Sequence, residues 1–161
     1  MGTSIPAFHV SDENKKVNGS GDVFIATRHD ALASGVFSVK VSAHFDPAGG
    51  DDYPTGSILI KADLSDSFRG TFRSTSIELI NSHGKHNPTA FLTGRCKGEV
   101  VGAGATPPGL RYWLMIVNNS AENRLDAPDV VGFAIHDRTG ARIAYGIGPV
   151  KPGGNFSVEP K

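Results

Sequence analysis

The sequence predicts an all-β fold: an antiparallel meander of eight or nine strands with no substantial helix. Most apolar segments alternate apolar and polar residues with a period of two, the pattern of strands that bury one face. Many of the 20 glycines and 10 prolines fall between these segments, where they supply the chemistry of turns. No long segment has the periodicity of an amphipathic helix.

Nine strands are expected in chain order, over Val23–Thr27, Val36–Phe45, Ser57–Leu64, Phe68–Ile80, Thr89–Val101, Leu110–Val117, Val130–Asp137, Ala141–Ile147 and Asn155–Glu159. A meander of this kind closes into a small closed or partly open β-barrel. A β-sandwich is the alternative. Interior glycines and an expected bulge favour the barrel.

The second strand shows the alternation most clearly, because its inward positions are all apolar and the residues between them are polar. The inward positions are Phe37, Val39, Val41, Ala43 and Phe45. The fourth strand changes its alternation at residues 74–76. Phe72 faces inward before that point, whereas Ile77 and Leu79 then occupy the parity that had faced outward, which predicts a β-bulge.

The fifth strand carries Gly94, Cys96 and Gly98 on its inward face. Glycines inside a strand allow close packing against a bulky neighbour, for which Tyr112 or Trp113 is the candidate. A thiol on such a face is expected to be buried and inert.

The sixth strand, Leu110–Val117, departs from the alternation of its neighbours. It is apolar on both faces apart from Arg111, and turn residues bound it on both sides. Such a run predicts a central strand that is covered on both faces.

Length and composition limit the classes of protein to consider. The 161 residues suffice for one domain, expected at 22–161 after a flexible polar arm at 1–21. Sixteen basic residues balance 16 acidic ones, and no apolar run has the length of about 18 residues that a spanning helix needs. Neither nucleic acid nor a membrane is therefore expected as a partner.

A single cysteine, Cys96, excludes an internal disulfide. The N-terminus has no signal-peptide pattern. A cytoplasmic location is expected if Met1 is native, and an extracellular one if a signal peptide was removed. The oligomeric state does not follow from the sequence.

Catalysis inside a barrel needs titratable groups that face the lumen. The candidates are Glu78, Arg111 and Tyr112, which could polarise a carbonyl group or move a proton if they met in an apolar pocket. The alternative is that the two charges face water and that the tyrosine belongs to the core. An apolar small molecule would be lined by Tyr112, Trp113, Met115, Phe72 and Phe133.

Oxygen-rich loops are the candidates for a metal ion. Asp126 and Asp129 could hold Ca²⁺, but they lack the one-residue alternation of a dedicated calcium loop. His83 and His86 share another loop without flanking carboxylates, and two imidazoles do not complete a site. Solvated turn residues are the alternative for all of them, so no cofactor beyond Ca²⁺ is considered.

Several patches recur in the same order in a known family. They are Gly35-Val-Phe-Ser, Tyr53-Pro-Thr-Gly56, Phe72-Arg-Ser-Thr-Ser76, Gly94 to Gly98, Tyr112 to Asn118, Asp129 to Asp137, Thr139-Gly140, Tyr145 and Gly153 to Val158. In this order the chain resembles the post-COAP domain, a glycine-rich all-β domain of secreted bacterial proteins. The resemblance implies an all-β domain with no assigned activity. It departs at Asn118–Asn119, where that family typically has an Asp.

Two functions follow from these observations. The first is a non-catalytic binding or structural module. The second is a small stand-alone β-barrel enzyme, of the cyclase or isomerase type, that shapes an apolar small molecule in its lumen. An enclosed cavity lined by Trp113 and Met115 would favour the enzyme, and a filled interior would favour the module.

Overall fold

The computed structural model describes residues 14–25, 35–64, 68–83, 88–100, 109–119 and 128–159. These residues form ten β-strands, namely β1 (Lys15–Ile25), β2 (Gly35–Phe45), β3 (Thr55–Leu64), β4 (Phe68–Ser74), β5 (Leu79–His83), β6 (Thr89–Val100), β7 (Leu110–Val117), β8 (Val130–His136), β9 (Arg142–Pro149) and β10 (Asn155–Glu159). Within these ranges, no helix has the length and apolarity needed to cross a membrane.

All ten strands belong to one sheet, in the order β10-β1-β2-β3-β4-β6-β7-β8-β9, and β5 pairs with β6 beside β4. Each pair of neighbouring strands in this sheet is antiparallel, so the chain is a meander, as the sequence predicts. The sheet curls strongly into a half-barrel. After β9 the chain meets β1 at a Val23–Val150 bridge, where the Lys151 N–H donates to the Asp22 carbonyl at 2.8 Å. It then continues along β1 as β10.

The concave side of the sheet holds one hydrophobic core. Its largest fully buried side chains come from eight strands and are Phe37, Phe72, Phe133, Phe156, Ile60, Leu92, Leu110, Leu114, Ile116, Ile135 and Val17. The rings of Phe37 and Phe133, from β2 and β8, meet edge to face with centroids 4.8 Å apart. The inward face expected for β2 is confirmed, since Phe37, Val39, Val41 and Ala43 are all buried.

The first strand begins earlier than predicted. Residues 15–21, expected in a polar arm, belong to β1 and pair with β2, and residues 16–20 also pair with β10. Two of the inward positions in this stretch are glycines, which leave no alternation to detect. A Cβ on Gly19 would lie 2.2 Å from the Asn155 carbonyl oxygen, because β10 crosses too closely for a side chain. Residues 1–13, 26 and 27 lie outside the described ranges.

The long fourth strand is two strands, β4 and β5, that pair with successive parts of β6. Ser74 lies opposite Cys96 and Leu79 lies opposite Thr93, so the four residues 75–78 face the two residues 94 and 95. The irregularity therefore inserts two residues rather than the one expected. Two inserted residues preserve parity, so Ile80 is buried and Leu79 faces outward. Ile77 is buried, as predicted.

Strand β7 alternates in burial although its sequence does not. Leu110, Tyr112, Leu114 and Ile116 are buried in the core. Arg111 and Trp113 are exposed on the convex side, and Met115 is half-buried there. The prediction that both faces are covered was wrong, because β7 lies in a single curled sheet with a core on only one side. Its apolar outer face needs another explanation.

Candidate functional site

The interior candidates are part of the packed core. Phe72, Phe133 and Tyr112 are at most 3% exposed. The Tyr112 hydroxyl donates a hydrogen bond to the Ser76 carbonyl oxygen at 2.9 Å. Burial raises the pKa of Tyr112 far above its ordinary value. This hydroxyl therefore stays protonated at neutral pH, and it ties β7 to the irregular segment between β4 and β5.

Gly94 explains how Tyr112 reaches that carbonyl. It lies opposite Tyr112 in the β6–β7 register. A Cβ on Gly94 would stand 2.7 Å from the Tyr112 hydroxyl and 2.1 Å from the Ser76 carbonyl oxygen. The bulky neighbour expected for the glycines of β6 is thus Tyr112 at this position, rather than Trp113.

Tyr112→Phe is expected to lower the free energy of unfolding by about 1–3 kcal/mol, because a part-buried carbonyl loses its donor. Urea unfolding measures the change. Tyr145→Phe is the matched control, because it deletes the same hydroxyl from the outer side of β9. Equal costs for the two variants would mean that the bond to Ser76 contributes nothing.

The three catalytic candidates do not meet in a pocket. Glu78 forms ion pairs with Arg111 and, at 3.7 Å, with Arg95. Their side chains are 40%, 49% and 69% exposed, respectively. Tyr112 lies on the other side of the sheet. Glu78 and Arg111 do come together, but they do so on the convex surface.

Asp129, just before β8, connects β8 to β10 and to the residue that follows β9. It is buried, and its carboxylate accepts a hydrogen bond from the Phe156 N–H at 3.1 Å. Its carbonyl oxygen accepts another from the Val150 N–H at 2.8 Å. Asp126, its expected metal-binding partner, lies outside the described residues, as do His86 and the side chain of His83. In the described part of the chain, no group of three or more His, Cys, Asp and Glu side chains could hold a metal ion.

Asp129→Ala is expected to lower the free energy of unfolding by about 1–3 kcal/mol, because it orphans a buried N–H of β10. Asp129→Asn keeps an acceptor and should cost less. Thermal melts in Ca²⁺ and in chelator separate this role from metal binding, since a bound ion stabilises the fold by mass action. A loss seen only in Ca²⁺ would identify a metal ligand instead.

Cys96 is buried on the inward face of β6. Burial raises the pKa of its thiol to about 11. The thiol is therefore protonated at neutral pH and is a poor nucleophile.

The convex side of β5–β9 carries a group of apolar side chains that face solvent. We call it the outer platform, which consists of Leu79, Phe91, Trp113, Met115, Ala134, Tyr145 and Ile147. Leu79 is 49% exposed, Trp113 36% and Ile147 43%. The Phe91 and Trp113 rings lie 5.9 Å apart between centroids. Aromatic and aliphatic groups thus form one surface across five strands.

Strand register brings the members of the outer platform together. Trp113 pairs with Ala134, which pairs with Tyr145. Met115 pairs with Gly132, which pairs with Ile147. The small residues of β8 leave room for the larger side chains of β7 and β9 to lie beside each other. Ile147 leans over Gly132, where a Cβ would be 3.1 Å from its Cγ1.

Open polar grooves lie elsewhere on the molecule. One of about 350 Å³ runs along β1–β3 and includes Lys40, Lys61 and Lys151. Another, of about 480 Å³, includes His44, Asp46 and Asp51. Their linings are mostly polar and solvent-facing, unlike those of ligand pockets, which are mostly apolar.

Comparison of the chain with protein-family models, with curated proteins and with solved structures found no match. The resemblance to the post-COAP domain therefore stays a prediction.

The sequence predicted that Trp113 and Met115 bind a ligand, but it placed them in the barrel lumen rather than on the convex surface. It did not identify Leu79, Tyr145 or Ile147 as their neighbours. The one signal in the sequence was the apolar character of both faces of β7, which in a single curled sheet leaves one apolar face unburied.

Proposed function

We propose that the chain is a non-catalytic binding module that docks another protein through its outer platform. The observation that carries the proposal is the exposure of Leu79, Trp113 and Ile147 on one contiguous face. Monomeric proteins rarely expose contiguous apolar patches above a few hundred Å², and larger ones mark interaction sites.

The dimensions of this face suit a protein partner. Five neighbouring strands about 4.8 Å apart span roughly 19 Å across four spacings. The apolar side chains lie in two outward rows, one through Trp113 and Tyr145 and one through Met115 and Ile147, which together extend about 14 Å along the strands. The resulting footprint of roughly 270 Å² suits the apolar centre of an interface, in which each partner buries about 800 Å² at standard size. A broad convex face suits a protein better than a small molecule, which needs a concave pocket.

The alternative, an enzyme with an apolar substrate in the barrel lumen, receives no support from the positions of its expected lining. Trp113 lies outside the core, and so does Met115. Phe37, Phe72 and Phe133 lie in the core and are almost fully buried. The observations therefore favour the module.

Photo-crosslinking tests the proposal. We would replace Trp113 with a benzophenone amino acid and irradiate the protein in an extract of its own organism. The same replacement at Lys40, an outward residue of β2, is the matched control. We expect a discrete adduct from position 113 that excess unmodified protein suppresses, and none from position 40.

Equal labelling from positions 113 and 40 would contradict the proposal. An adduct of twice the mass of the chain would instead make the face an interface between two copies.

A further inference from the structure

We infer that the outer platform selects partners that present carboxylates beside apolar side chains, through a row of basic residues along one end of the platform. The inference rests on the proposed function and specifies its partner. The basic row consists of Arg95, Arg111, His136 and Arg142, one residue from each of β6–β9.

Strand register makes these four residues direct neighbours. Arg95 lies opposite Arg111, Arg111 opposite His136, and His136 opposite Arg142. Side chains directly opposite each other have Cβ atoms about 5 Å apart. The row therefore extends about 14 Å across three strand spacings. The next outward pair along β7 and β8 is Trp113–Ala134, so the row borders the outer platform.

Among the described residues, the row has more positive charge than the carboxylate beside it neutralises. Glu78 is the carboxylate within ion-pair distance of it among the described residues, and it pairs with both Arg111 and Arg95. The Arg142 guanidinium instead stacks on the Tyr145 ring, 3.7 Å from its centroid. Like charges directly opposite each other destabilise a sheet. A bound anion would relieve this repulsion.

Carboxylates fit the arginines of the row. A planar guanidinium matches a carboxylate with two parallel hydrogen bonds. Arg142 is already held by Tyr145, which positions its fork beside the platform. Nucleic acid is a poorer match, because the chain has a formal net charge of +0 and so lacks the long-range field that gathers polyanions.

A second copy of the chain is also a poorer match. If two copies met through this face, the carboxylate beside each row would be Glu78, which two arginines of its own chain already engage. A different protein, with carboxylates placed next to apolar side chains, satisfies both parts of the surface.

Three fragments with the same ring test the inference: 2-naphthoate, 2-naphthylmethanol and 2-naphthylmethylammonium. Amide chemical shifts are followed by NMR during titration of the full chain. We expect all shifts to map to β5–β9, with 2-naphthoate binding about tenfold more tightly than the ammonium compound. The preference should shrink as salt is added, since the charges are exposed.

Three variants identify the origin of the preference. The double variant Arg111→Gln, Arg142→Gln should remove the preference for 2-naphthoate and leave the affinity for 2-naphthylmethanol unchanged. The double variant Lys40→Gln, Lys61→Gln removes the same amount of charge from β2 and β3 and should preserve the preference for 2-naphthoate. His136→Glu places a carboxylate inside the row, so it should abolish the preference without removing an ion pair between described residues.

The outcomes separate the two claims. Equal binding of all three fragments, or loss of the preference in the lysine variant, would overturn the inference and leave the proposed function standing. Failure of every fragment to shift the amides of β5–β9 would overturn the proposed function, and the inference with it.

Discussion

Gly94→Ala is expected to lower the free energy of unfolding by about 3 kcal/mol or more. The added Cβ would stand 2.1 Å from the Ser76 carbonyl oxygen and 2.7 Å from the Tyr112 hydroxyl. The first of these atoms belongs to the backbone of the inserted segment, so no side-chain rotation relieves the overlap. The segment must move, and the Tyr112–Ser76 hydrogen bond is lost with it.

Urea unfolding of Gly94→Ala and Gly140→Ala measures this effect against a control. Gly140 has φ +88°, and a Cβ added to it would meet no atom within 4 Å, so its replacement carries backbone strain without overlap. Its cost should be about 1 kcal/mol. Equal costs at the two positions would mean that β6 and the inserted segment are not in close contact.

Replacement of Leu79, Trp113 and Ile147 by Gln together is expected to abolish binding of the neutral fragment 2-naphthylmethanol and of the protein partner. These side chains supply the most exposed apolar area of the outer platform. The free energy of unfolding should change by no more than about 1.5 kcal/mol, because exposed substitutions cost about 0.5 kcal/mol each. Large loss of binding with small loss of stability is the mark of a functional surface.

Leu114→Ala provides the contrast within β7. Leu114 adjoins Trp113 but is fully buried, so its truncation should cost about 2–5 kcal/mol. NMR titration and urea unfolding measure both variants. A triple Gln variant that unfolds as readily as Leu114→Ala would show that the platform is covered in the native protein.

Much of the fold follows from local patterns. The bounds of β7 and β10 match the predicted strands, because apolar runs there end at clear turn residues. The start of β1 does not follow, because Gly19 and Gly21 occupy inward positions where the sequence shows no apolar residue. Their role depends on β10, which approaches from the far end of the chain.

The candidate site depended on information that a single strand does not contain. The apolar residues on both faces of β7 predicted burial, whereas the structure places one face in solvent. The basic row appears only when Arg111, His136 and Arg142 are placed in register. These residues come from three strands, so neither their adjacency nor the small number of described carboxylates beside them is visible along the chain.

The fluorescence of Trp113, the single tryptophan of the chain, tests the central claim most directly. On an exposed face, its emission should be quenched readily by acrylamide in the native protein. Because Trp113 lies beside the basic row, the anion iodide should quench its emission more strongly than the cation caesium does. The Arg111→Gln, Arg142→Gln variant should remove that difference. Emission shielded from all three quenchers until the protein unfolds would place Trp113 in an enclosed cavity and contradict the account.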